Sequence, residues 1–256
     1  MIITARCDVA NDKVRTYNYV PIVTLDDWLH RDGRLILAER FRAEALGNLK
    51  GALKDAGFSP SILETESPRS VLNTLFLPAT KAGKAAKARD RFEDLCSRFD
   101  LANLGISSSP SDAVCVRIAD AVPRLKDVMI SELVNQRLNG YYFLSCIEPD
   151  GADTGSVVLL REIQHMPRGL AHGVAKGLDA ARLAEMCGSD PSMRGRLQIG
   201  CNDLAMPIGL LASPYLEHLM QSFSLLFGRI GIADPDPSYV ARLWSRQLSV
   251  VKAGEL

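Results

Sequence analysis

A charge surplus of either sign is missing from this sequence. Lys+Arg and Asp+Glu both total 30 over 256 residues, so no global field draws the chain to nucleic acid or to an acidic membrane, and any polyanion site must be local. Paired cysteines are missing too: Cys7, Cys96, Cys115, Cys146, Cys187 and Cys201 stand singly, with no CxxC. That excludes the disulfide framework of small secreted domains and points to reduced thiols. Only four histidines occur, none spaced with cysteine as zinc ligands are. The longest apolar run, Leu219 to Phe227, is interrupted by Gln221, Ser222 and Ser224, and a bilayer span takes about 18 or more apolar residues. The opening MIITARCDVANDKVR carries Arg6 and Asp8 where a secretory signal is apolar. A cytoplasmic protein away from membranes is the expectation.

Several catalytic signatures are absent as well. There is no GxxxxGK[ST], no GxGxxG after a strand, no HExxH and no GxSxG, which sets aside the nucleotide-binding, zincin and hydrolase chemistries carried by those spacings. Asp26-Asp27 and Asp234-Pro235-Asp236 would hold Mg²⁺ only with a third acidic group, and as loop or cap residues they need none.

What is present is an ordinary globular composition, 47% apolar and 23% charged, long enough for one large domain or two small ones. Met1 to Cys7 alternates as a short strand, and an extended run from Tyr17 to Leu25 leads to a short helix capped by Thr24 or Asp26. Leu35, Leu37, Phe41, Ala45, Leu46, Leu49 and Leu53 recur at three- and four-residue steps, predicting a helix that ends at Gly57. A strand is expected near Ile62–Leu63. Between Pro68 and Leu138 helical segments are separated by Ser/Pro breaks, and Tyr141–Ile147 with Val157–Ile163 suit a β-hairpin. A glycine-spaced helix from Gly169 to Cys187, a strand at Arg196–Cys201 and a helix from Pro214 to Phe227 follow. The predicted class is α+β, with residues 1–67 and 139–256 as the core and 68–138 as a helical insertion.

Cations cluster in three places. Lys81, Lys84, Lys87, Arg89 and Arg91 face only Asp90 locally, and Lys84, Lys87 and Arg91 share one helical stripe, which suits either a row of phosphates or a solvated face. In MPRGLAHGVAKG, glycines recur every fourth residue with Arg168, His172 and Lys176 between them. As a loop entering a helix the segment suits phosphate binding; as a helix its glycines make a flat packing face. Arginines also gather near both ends, with His30, Arg31, Arg34, Arg40 and Arg42 early and Arg242 and Arg246 flanking Trp244 late. The guanidinium fork suits phosphate, and aromatic rings suit unpaired bases.

Four of these segments, MIITARC, VPIVTLDDWLHRDGRL, KAGKAAKARDRF and MPRGLAHGVAKG, together resemble CRISPR RNA-processing endoribonucleases of the repeat-associated mysterious protein superfamily, closest in layout to the type IV version. The TLDDWLH region is similar also to the superfamily's backbone subunits, which bind crRNA without cutting it. The resemblance implies ferredoxin-like units carrying the helical insertion, and a repeat RNA hairpin as partner, alone or beside other subunits of a CRISPR effector complex. It implies cleavage without metal or cofactor, in which the RNA's own 2′-OH attacks the adjacent phosphate and leaves a 2′,3′-cyclic phosphate. His30 then matches the general base, with Arg31 and Arg242 stabilising charge. Arg34, Lys81, Lys84, Lys87, Arg91, Arg168, His172, Lys176, Trp244 and Arg246 would grip the RNA.

Overall fold

Local chemistry explains where the first long helix begins and ends. Thr24 caps α1 (Leu25–Trp28): its Oγ1 accepts from the Asp27 amide at 3.1 Å and its hydroxyl donates to Asp27 Oδ2 at 2.7 Å, so one first-turn amide gains an acceptor. A π turn over Leu29–Gly33 runs straight on into α2 (Arg34–Asp55). At the far end Gly57 takes φ +84°, and the Phe58 amide reaches back to the Leu53 carbonyl at 2.9 Å, the Schellman closure that favours glycine.

The computed structural model describes residues 1–3, 13–78, 83–107, 110–145 and 155–227. The chain forms two units, Met1–Leu211 and Ala212–Leu256. In the first, α2 is the spine. Its N-terminal half buries Leu37, Ala38 and Phe41 together with Trp28, Val157, Leu159, Ile118 and Met129. Its C-terminal half buries Leu49, Ala52 and Leu53 against Val71, Leu72, Phe76, Phe92 and Leu95. Besides Trp28 of α1 and the strand residues Val157 and Leu159, the partners in these clusters come from α3 (Pro68–Leu75) and the Phe76 that ends it, α4 (Lys84–Ile106), α5 (Asp112–Ala121) and α6 (Pro123–Val134). The end of α4 meets the start of α2 and the start of α4 meets the end of α2, so the two long helices run antiparallel.

Where they cross, Gly105 admits the close approach. A Cβ on Gly105 would stand 2.3 Å from Ile118 Cδ1 and 2.9 Å from Ala38 Cβ, and both neighbours are buried in the cluster. Gly105→Ala is therefore expected to lower stability by about 2 kcal/mol through overpacking, which for a unit of this size moves the thermal midpoint down by roughly 4–8 °C. Differential scanning calorimetry checks it; a midpoint at or above the wild-type value would mean that the crossing has room.

The strands form small antiparallel sheets. β1 (Thr16–Tyr19) pairs with β5 (Gln164–Pro167), β2 (Ile22–Thr24) and β3 (Tyr141–Leu144) flank β4 (Ser156–Leu159), and β6 (Leu178–Asp179) pairs with β7 (Leu204–Ala205). The expected hairpin is therefore present between β3 and β4. The Gln136 side chain completes the open edge of β3, donating to the Phe143 carbonyl at 2.7 Å and accepting from its amide at 3.0 Å. The chain start lies beside β1, with Ile2 bridged to Tyr19; the rest of the expected first strand, from residue 4, lies outside the described residues.

Three sequence expectations are corrected. Ile62–Leu63 sits in a 3₁₀ turn, Pro60–Glu64, because Pro60 presets a helical φ at its first position and both side chains pack on the second cluster. The helix expected from Gly169 to Cys187 is two helices, α7 (Arg168–Ala175) and α8 (Ala180–Ser189). Gly177 at φ +81° ends the first, and Asp179 caps the second by accepting from the Arg182 amide at 2.8 Å. Arg196–Cys201 is not a strand; the short strand in that region is β7.

The Ala212–Leu256 unit is described as far as Phe227. There the expected helix is present as α9 (Tyr215–Phe227), with Leu219 buried. No helix among the described residues is long and apolar enough to cross a membrane.

Candidate nucleic-acid interface

Pairing of β1 with β5 brings two arginines 153 positions apart to one place, since the ladder runs one residue beyond the strands and the Arg168 amide donates to the Arg15 carbonyl at 2.9 Å. Both line a cleft of about 460 Å³. β5 adds His165, whose Nδ1–H donates to Oδ1 of Asn18, its cross-strand partner, at 2.7 Å. That bond occupies Nδ1 and leaves Nε2 as the other nitrogen of the ring. The first two residues of α7, Arg168 and Gly169, both line the cleft, and first-turn amides have no acceptor inside a helix. Ser192 and Met193 of the 3₁₀ turn Pro191–Met193, and Arg196 after it, also line the cleft.

Among the described residues, Asp190 is the one carboxylate in the lining. The Ser192 hydroxyl, and then the Ser192 amide, hold its carboxyl below the usual carboxylate range, and the amide lies 2.9 Å from Oδ1. It is spent on capping its own turn. Three guanidinium groups against one carboxylate, beside the positive end of α7, make a cleft for an anion.

The expected residues separate. Of the segment 166–177, only its first part faces this cleft: Arg168 lines it, whereas His172 lies one turn on against Tyr17, with ring centroids 6.5 Å apart, and Lys176 caps the far end of α7. The packed-helix reading holds for Gly173, which is buried. A Cβ on Gly173 would sit 3.1 Å from Met186 Sδ and 3.3 Å from its Cε, atoms at the end of a flexible side chain. Gly173→Ala is expected to leave RNA affinity unchanged and to stabilise α7 by up to about 1 kcal/mol, raising the thermal midpoint by up to about 4 °C. Weakened RNA binding at an unchanged midpoint would instead place this backbone against phosphate.

His30 and Arg34 line a second, largely apolar cavity of about 250 Å³ with Lys126 and Asp112 at its polar edge. His30 Nδ1–H donates to the Asp26 carbonyl at 2.8 Å. Arg31 turns away, its guanidinium bonded to Glu162 and lying 3.7 Å from Asp32. Two of the three expected catalytic residues, His30 and Arg31, are thus divided between a cavity and an ion pair. Arg242, Trp244, Arg246 and Lys81 lie outside the described residues. On α4, Lys84 and Lys87 are exposed, but Arg91 pairs with Asp55 at 3.3 Å and Arg89 donates to the Phe76 carbonyl. Of the four described cations of this cluster, Arg89 and Arg91 are thus engaged within the protein, and of the stripe itself Arg91 alone.

Sequence reasoning missed Arg15, His165 and Arg196. Nothing local marks them, because only the β1–β5 ladder brings the first two together. No family model, curated protein or solved structure matches this chain.

Proposed function

We propose that this chain is an RNA-binding protein of a CRISPR ribonucleoprotein, gripping the RNA backbone in the arginine cleft. One observation carries the reading: Arg15, Arg168 and Arg196 converge on one cavity at the start of α7. Guanidinium forks bind phosphate oxygens two at a time. The finer architecture belongs to the same proposal. The antiparallel sheets packed beside α2 are taken as ferredoxin-like units with the 68–138 helices inserted, acting in the cytoplasm on repeat RNA. Support for the family is the sequence resemblance alone.

A second reading, metal-independent cleavage of the repeat, is favoured by His165. Cleavage by the RNA's 2′-OH requires a group to take its proton and cations to stabilise the phosphorane, and His165 offers Nε2 in a cleft lined by three arginines. Incubation with a repeat hairpin RNA in EDTA separates the readings. Bound, intact RNA is the expected result. A 2′,3′-cyclic phosphate end would transfer the function to the second reading, and absence of binding at low salt would overturn both.

A further inference from the structure

Resting on the RNA-binding reading, we infer that the arginine cleft receives the terminal phosphomonoester of an RNA chain, together with its nucleotide, rather than an internal phosphodiester. The charge balance points there first. Among the described residues of the lining, the formal charges of Arg15, Arg168 and Arg196 against Asp190 sum to two positive. A phosphomonoester carries about −1.5 to −2 at pH 7 and three terminal oxygens, whereas an internal phosphodiester carries one charge and two free oxygens.

Geometry points the same way. A groove that tracks a strand spreads its cations along the backbone, but these three arginines, together with Gly169, line one cavity. Its volume of about 460 Å³ lies in the range of small-molecule pockets, roughly 300–1,000 Å³, and admits a nucleotide but no duplex. Thr16 and Ser192 add small polar residues to the same lining. A 5′-phosphate and a 3′-phosphate present the same chemistry.

The test is fluorescence anisotropy with one short single-stranded RNA in three forms, 5′-phosphate, 3′-phosphate and both ends hydroxyl, the dye placed on an internal base. At least one phosphorylated form is expected to bind about ten-fold or more tighter than the hydroxyl form, and adenosine monophosphate is expected to compete. Which form gains identifies the end. In Arg15→Ala/Arg196→Ala, two exposed positions whose loss leaves the thermal midpoint unchanged, the preference is expected to vanish. Equal affinity of all three forms, with binding still weakened by the double substitution, would overturn the end-recognition inference and leave the RNA-binding reading standing. Binding indifferent to both the phosphate and the substitution would remove the cleft from RNA recognition altogether.

Discussion

Trp28→Ala is expected to lower the stability of the Met1–Leu211 unit by about 3–5 kcal/mol, the range for a buried large aromatic replaced by alanine. The indole is fully buried in the cluster that joins α2, the β4 strand and α5–α6. Tyr141 meets it edge-on at 5.4 Å and 76°, and a Cβ on Gly33 would lie 3.1 Å from its Cζ3. Neighbours on helix and sheet alike are held by other contacts, so they do not collapse into the space. Against a total of about 5–15 kcal/mol, the loss takes a large share. It also loosens the π turn that carries His30 and Arg31. Urea unfolding at constant m-value reads it. Trp28→Phe is expected to lose less than half as much, since the indole Nε1 is buried without a hydrogen-bond partner and its removal relieves an unsatisfied donor. A Trp28→Ala change below about 1 kcal/mol would mean that the cluster is not the main core.

What the sequence made legible was local. Thr24, the α2 periodicity and Gly57 each act within one or two turns, and cap, stripe and Schellman glycine appear in the structure where residue chemistry puts them. The β3–β4 hairpin was legible because its strands are near in sequence and alternate. Errors arose where one signal had two physical solutions. Ile62 and Leu63 read as β-formers, yet Pro60 and the second cluster turn them into a helical turn. Glycines at four-residue spacing read as one helix, although Gly177 breaks it at positive φ. The candidate site was least legible of all. Of its cations only Arg168 stood in a conspicuous segment, and its companions arrive through a strand ladder linking the start of the chain to residues near 165. Such a ladder is a long-range contact, which composition and spacing do not encode.

That long-range origin makes the arginine cleft the sharper of two tests for where RNA is held. The exposed lysines of α4 share their helix with Asp90, Glu93 and Asp94, and Arg91 is already paired with Asp55. Lys84→Ala with Lys87→Ala is therefore expected to weaken binding less than ten-fold, in keeping with the small worth of exposed charge contacts. Arg15→Ala with Arg196→Ala removes two guanidiniums from a single concave site. A hydrogen bond to a charged group contributes about 1.5–3 kcal/mol, so the pair is expected to lower RNA affinity by about 10²–10⁴-fold. Each lost phosphate contact also removes a released counterion. The slope of log affinity against log salt is then expected to fall by about 1.5 between roughly 50 and 200 mM, using the single-strand value of about 0.7 per contact. Filter binding across that salt range measures both quantities. An affinity loss without a change in slope would mean that the arginines hold the cleft together and do not touch phosphate. A larger loss from the α4 lysines than from the cleft would move the RNA onto the helical face, returning to the reading in which successive phosphates lie along Lys84 and Lys87.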